Sequence, residues 1–167
     1  MKVKIILISF FFLFSCSKSI SERQLNTIID SYENYNAKGD DSPLGQYTES
    51  RFEDYAHFCD SLKTQLESVN IEKLSEDSQI SYKLLNFVLN ETIVKYKFKT
   101  HWNPILSDGG FHLSLTFRVR PLTDKKSAIK YLKLLKAIPD YINQQKVLIE
   151  KGLDAGMGQP LVIFKGY

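Results

Sequence analysis

The sequence is poor in the residues that advertise chemistry. It holds two cysteines, three histidines and one tryptophan in 167 residues, and each shortage excludes something. Cys16 belongs to a targeting signal described below, so Cys59 has no partner and no disulfide framework staples the chain. Cys59 falls on the apolar face of an expected helix, where a free thiol behaves as a small hydrophobe. His57, His101 and His112 form no HExxH pair, and no two of them lie three or four residues apart, so helix-borne zinc ligation is absent. His101 and His112 flank a Gly-Gly break near Asp108 and are read as structural, since proximity across a turn is not a metal site without geometry. No Gly-x-Ser-x-Gly elbow occurs. The stretch "GLDAGMG" lacks the Lys-Ser/Thr of a phosphate loop and ends a helix instead of opening one. Residue chemistry therefore assigns no catalytic, cofactor-binding or metal-binding residue.

A strong charge of one sign is also missing. The formal net charge is +3, and without Lys2 and Lys4 twenty basic side chains face nineteen acidic ones. No basic stripe argues for nucleic acid. Arg118 and Arg120, with Lys125 and Lys126 nearby, read as solvated charge or, less simply, as an anion contact. Charged residues at 25% and hydrophobic ones at 43% exclude both a disordered chain and a polytopic membrane protein.

One hydrophobic run stands out, "IILISFFFLF" after Lys2 and Lys4. It is too short to span a bilayer and has the length of a signal-peptide core. It ends in Leu13-Phe14-Ser15-Cys16, which resembles a bacterial lipobox. A small residue before the cysteine lets the signal peptidase approach, and the thiol carries the diacylglycerol. Each buried methylene of an acyl chain contributes about 0.8 kcal/mol, so several chains hold firmly. The expected organisation is a signal peptide over 1–15, a lipidated tether over 16–20 with Cys16 as attachment point, and one helical domain over 21–167. The product is expected to be exported and membrane-anchored in the cell envelope.

Periodicity predicts a mainly α fold. A helix is expected from Ser21 to Tyr35, with Leu25, Ile28, Ile29 and Tyr32 at helical spacing, then a loop over 36–49. Ser50 and Glu53 predict a second start, with Ala56, Cys59, Leu62 and Leu66 inward. Ser75 is the expected cap of a helix over 76–98 with Ile80, Leu84, Phe87 and Val88 as its stripe. Leu85, Leu89, Ile93 and Val94 widen that stripe, so neighbours are expected on more than one side. Trp102, beside Asn103-Pro104, suits a loop anchor or the floor of a pocket. "HLSLTFRVR" alternates, predicting a short extended or β segment near 111–120, laid over helices or completed elsewhere. Thr123 is the expected cap of a helix to Ala137 with Ala128, Ile129, Leu132 and Leu135 inward. Pro139 is expected to open a last helix to residue 155, ended by Gly156 and Gly158, with Pro160 preventing continuation.

The segments "LSEDSQISYKLL", "WNP", "GGFH" and "KYLKLLKAIPDYINQQKVLIEKGLDAGMGQP" occur in that order. Together they resemble the N-terminal part of the bacterial family catalogued as domain of unknown function 885. The most specific residues are Tyr131, Leu132, Leu135, Ile138, Pro139, Tyr141, Gln145, Gly152, Gly156 and Pro160. The similarity covers about residues 21–167. It implies a large, almost wholly helical protein similar to zinc metallopeptidases, whose HExxxGH-like motif lies far downstream and has no counterpart here. On that resemblance this chain is an incomplete, N-terminal portion of the fold and inactive alone. Zinc belongs to full-length relatives, and a peptide or other small substrate enters by resemblance only. The expected partners are the membrane, through the lipid, and the missing C-terminal part. The uncovered apolar run "LVIF" at 161–164 agrees with that expectation. The alternative is a complete small helical lipoprotein that binds or scaffolds.

Overall fold

Four short polar side chains decide where the long helices begin. In the computed structural model, which describes residues 19–35, 42–106, 109–119 and 121–164, Ser19 accepts a hydrogen bond from the Glu22 amide and opens α1, Ile20–Glu33. Thr48 accepts from the Arg51 amide and opens α2, Glu49–Glu67. Ser75 accepts from the Ser78 amide and opens α3, Glu76–Lys97. Residues 111–114 form a single turn, α4, Phe111–Ser114. Asp124 and Ser127 make a reciprocal capping box that opens α5, Lys125–Asp154. Each cap satisfies an amide that the helix itself leaves without a partner, worth about 1 kcal/mol. Residues 1–18, with the expected signal peptide and Cys16, and residues 36–41, 107–108, 120 and 165–167 lie outside the described residues.

The core sits between α1, α2 and α3. Leu25 and Ile28 meet Cys59, Leu62 and Leu66, and the link through Val69 and Leu74 leads into Leu85 and Leu89. Leu66 and Leu89 are fully buried, so truncating either to alanine removes about 2–5 kcal/mol. The expected inward face of α2 is thus the observed one. α3 reverses the sequence reading. Ile80, Leu84 and Phe87 face solvent at 64%, 62% and 64% exposure, while Leu85 and Leu89 point into the core. Both faces of this helix are apolar, and periodicity alone cannot say which one meets α2.

Two further expectations are corrected. No strand runs over 111–119: α4 is followed by a 3-10 turn, Thr116–Arg118. The Ser114 and Thr116 hydroxyls donate back to the carbonyls of Phe111 and Leu113, at 2.7 Å each, which favours turns over extended chain. Extended pairing lies just upstream, in a two-residue antiparallel ladder of Ile105–Leu106 with Gly109–Gly110. Nor do two helices meet at Pro139, because α5 runs through it for 30 residues. A proline inside a helix forfeits one backbone bond and costs about 3 kcal/mol. The remaining bonds of α5 and the docking of its second half outweigh that. Ile129, Leu132 and Leu135, expected inward, are exposed, because no other helix of the described residues packs closely on the first half of α5 there.

The second half of α5 buries Tyr141, Gln145, Leu148 and Gly152. It packs against the 3-10 turn Thr100–Trp102. Gly152 permits this approach, since a Cβ there would collide with the Trp102 carbonyl oxygen. Gly156, with φ +75°, ends the helix as expected.

Gly152→Ala would stabilise an isolated helix by up to about 1 kcal/mol. In this fold it is expected to destabilise by about 1–3 kcal/mol through overpacking. Gly109→Ala, whose Cβ would meet nothing within 4 Å, should be near neutral. Urea unfolding of the two variants checks the contrast, and a stabilised Gly152→Ala would refute the close contact.

Candidate functional site

Glu49, in the first turn of α2, gathers donors from three parts of the chain. Lys99 closes α3 in a left-handed conformation, φ 54°. That turn swings its ammonium over the Tyr96 ring, 3.9 Å from the centroid, and to within 2.9 Å of Glu49 Oε1. The His101 Nε2 lies 3.2 Å from Glu49 Oε2, and the Trp102 indole Nε1–H donates to the same oxygen at 2.5 Å. Lys151, from α5, approaches that oxygen at 3.5 Å. An ionised carboxylate only accepts, so the His101 proton is carried on Nε2. The imidazole is stacked between Phe52, at 4.4 Å and 20°, and Tyr96, at 5.5 Å and 10°.

Burial alone would raise the Glu49 pKa, but hydrogen bonds from Lys99, Trp102 and His101 outweigh it and hold the carboxyl at about 2. The helix N-terminus adds to the same preference. Burial pushes the His101 pKa down; Glu49 opposes this, and the charges of Lys99 and Lys151 add to the lowering. The ring is therefore neutral at pH 7. Burial also works against the charged form of Lys99, yet its bonds to Glu49 and Tyr96 raise its pKa.

Beside this cluster lies a cleft of about 730 Å³. Its walls come from Phe52 and Tyr55 of α2, Thr92 and Tyr96 of α3, His101, Phe111, and Tyr141 and Gln145 of α5. The Tyr141 hydroxyl donates to the Phe111 carbonyl at 3.2 Å and lies 3.2 Å from the Ser114 hydroxyl, fixing α4 as one wall. Tyr47 packs edge-on to Tyr141 with ring centroids 5.2 Å apart, and its amide donates to the Gln144 side chain at 2.6 Å. The result is an aromatic, largely neutral enclosure of a size typical for small-molecule sites.

Of the residues singled out from sequence, Cys59 is fully buried, and burial raises its thiol pKa against the opposing bonds from Tyr55 and Thr92, so it is core. His57 is exposed, 3.9 Å from Glu53. His112 rests edge-on against Phe111. Trp102 anchors its loop through Glu49. Arg118, Lys125 and Lys126 are exposed. Cys16 lies outside the described residues. Among the described residues, no three His, Cys, Asp or Glu side chains come close enough together to hold a metal. Glu49 escapes a reading of the sequence because it falls in an expected loop, and its partners lie about 50 and 102 residues away along the chain. Gln145 stands out in the sequence only through the family resemblance.

Comparison of the chain with protein families, with curated proteins and with solved structures gave no match.

Glu49 and His101 both have folded pKa values below their ordinary ones of 4.5 and 6.5. Their stabilisation is therefore complete above those ordinary values and is lost on acidification, that of His101 first. Glu49→Gln is expected to cost about 2 kcal/mol at pH 7, allowing for screening of a partly exposed group. The gap to the wild type should shrink by more than half at pH 3, where Glu49 begins to protonate. Urea unfolding followed by Trp102 fluorescence at both pH values measures it, and a gap independent of pH would contradict the ion-pair assignment.

Proposed function

We propose that the chain is a cell-envelope protein anchored by lipid at Cys16, whose residues 21–167 form the N-terminal portion of a larger helical fold. On this reading it is similar to the metallopeptidase-like family named above, and its own part is recognition and support. No catalytic step is assigned to it, and any metal chemistry would belong to polypeptide beyond these residues.

One observation carries the reading. The two longest helices turn an apolar face to solvent: Ile80, Leu84 and Phe87 on α3, with Phe98 just past its end, and Ile129, Leu132, Val147 and Leu153 on α5. Fully burying such a side chain contributes roughly 1.5–3 kcal/mol. A further helical layer on these faces would thus be strongly stabilising, whereas contiguous exposed apolar surface is unusual in a finished monomer. Among the described residues no helix is long and apolar enough to cross a membrane, so these faces do not form a transmembrane span. The residues that carry the resemblance add support. Tyr141, Gln145 and Gly152 are three of the four that α5 buries.

The second reading, a complete small binding lipoprotein, draws on the preformed cleft. The intact mass of the native protein, extracted with detergent from membranes of the source bacterium, separates the two. We expect a mass several times 19.3 kDa with peptides of this chain at its N-terminal end. A mass matching residues 16–167 plus acyl chains would favour the binding module instead. Cys16→Ser should move the product out of the membrane fraction, and unchanged membrane retention would argue against the anchor.

A further inference from the structure

The aromatic cleft contains a buried amide that the fold does not use. Gln145 is 2% exposed and lines the cleft, yet its side-chain amide makes no hydrogen bond to any described residue. No buried side-chain polar atom of the described residues is sealed away without a partner, so the Gln145 amide keeps some accessible surface, and Gln145 is one of the residues that line the cleft. A primary amide offers two donors and an acceptor side by side. Water can meet them in the free protein, and a ligand that replaces it must supply matching groups or lose affinity.

The cleft is also short of free charge. Lys95 on its rim is paired with Glu91 at 2.8 Å, and the cations behind His101 are committed to Glu49. Nothing there favours a carboxylate or phosphate over a neutral group. Tyr47, Phe52, Tyr96, Phe111 and Tyr141 supply ring faces and edges on several sides, which suit a flat apolar group. Asn103, half-buried in the same lining, adds a second amide.

We propose that this cleft binds an uncharged ligand in which an aromatic ring stands next to an amide, as in an aromatic residue within a peptide, with the amide paired to Gln145 and the ring held between the aromatic walls. Ring and amide act together. The ring gives burial, and the amide gives discrimination, because a ligand without it leaves Gln145 unpaired. Every group required is present in this chain, so binding here does not depend on the existence of a larger fold.

The test uses the full chain in detergent micelles. Trp102 is its only tryptophan, and the indole centroid lies 6.1 Å from that of His101 in the cleft lining, so its fluorescence reports on occupancy. N-acetyl-L-phenylalaninamide is the probe, against N-acetyl-L-phenylalanine, which carries a carboxylate, and N-acetyl-L-alaninamide, which lacks the ring. We expect saturable binding of the first, at least tenfold weaker binding of the other two, and at least tenfold weakening in a folded Gln145→Leu variant. No saturable binding, or equal binding of the carboxylate or the ring-free amide, would overturn the proposal. So would unchanged affinity in folded Gln145→Leu. The ligand series is read on the wild-type chain, so its outcome does not depend on the variant folding.

Discussion

A single carboxylate, that of Glu49, joins parts of the chain that have little other reason to meet. The three-helix layer is held by its own leucines, but α5 approaches it through one short turn. That turn is pinned by Glu49, which accepts from Lys99, His101 and Trp102 and also pairs with Lys151 of α5. A half-buried carboxylate with fewer donors would be costly, since desolvation penalises the charge and an unpaired one is rarely tolerated. Here four donors match the acceptor sites of the two oxygens, and the charge becomes a clamp. The contact of Gly152 with the Trp102 carbonyl depends on the same turn and would lose its reason without it.

The cleft is a consequence of that clamp. Its aromatic walls belong to three separate helices and to the segment after Trp102, and the Glu49 cluster, the Tyr141–Phe111 bond and the contacts of Tyr47 with Tyr141 and Gln144 set their separation. Most apolar side chains in such a position would collapse together, as Leu66 and Leu89 do in the core. Rings fixed by stacking and by a phenolic hydroxyl cannot close the gap as easily. His101 illustrates the point: it is stacked against Phe52 and Tyr96 and neutral, so it serves as a wall with a polar edge.

How much is legible in the sequence follows the range of the interaction. Local signals suffice where one helix face is clearly apolar and the cap is adjacent, as with Ser75 and with Ala56, Cys59, Leu62 and Leu66. Signals that depend on a distant partner do not. Glu49 looks like a loop residue because everything that makes it special lies far along the chain. Pro139 looks like a helix start because a proline's local cost is visible and the docking that outweighs it is not. The alternation at 112–119 looks like a strand because hydroxyl-to-carbonyl bonds at Ser114 and Thr116 do not register in a hydrophobic pattern.

The reversal on α3 has a deeper cause. Its sequence carries two apolar stripes, one through Ile80, Leu84 and Phe87 and one through Leu85 and Leu89, displaced by about 150° around the helix axis. With α1 and α2 as the available neighbours, the stripe that is buried is the one whose side chains interdigitate with Cys59, Leu62 and Leu66. The other is written just as strongly, and α5 repeats the situation with Ile129, Leu132 and Leu135. A helix that needed only one neighbour would have placed charge at those positions, because exposed leucine and phenylalanine contribute nothing to a surface except a tendency to associate. The same surplus on two helices, Ile80, Leu84 and Phe87 on one and Ile129, Leu132 and Leu135 on the other, is the observation on which the proposal of a larger fold rests.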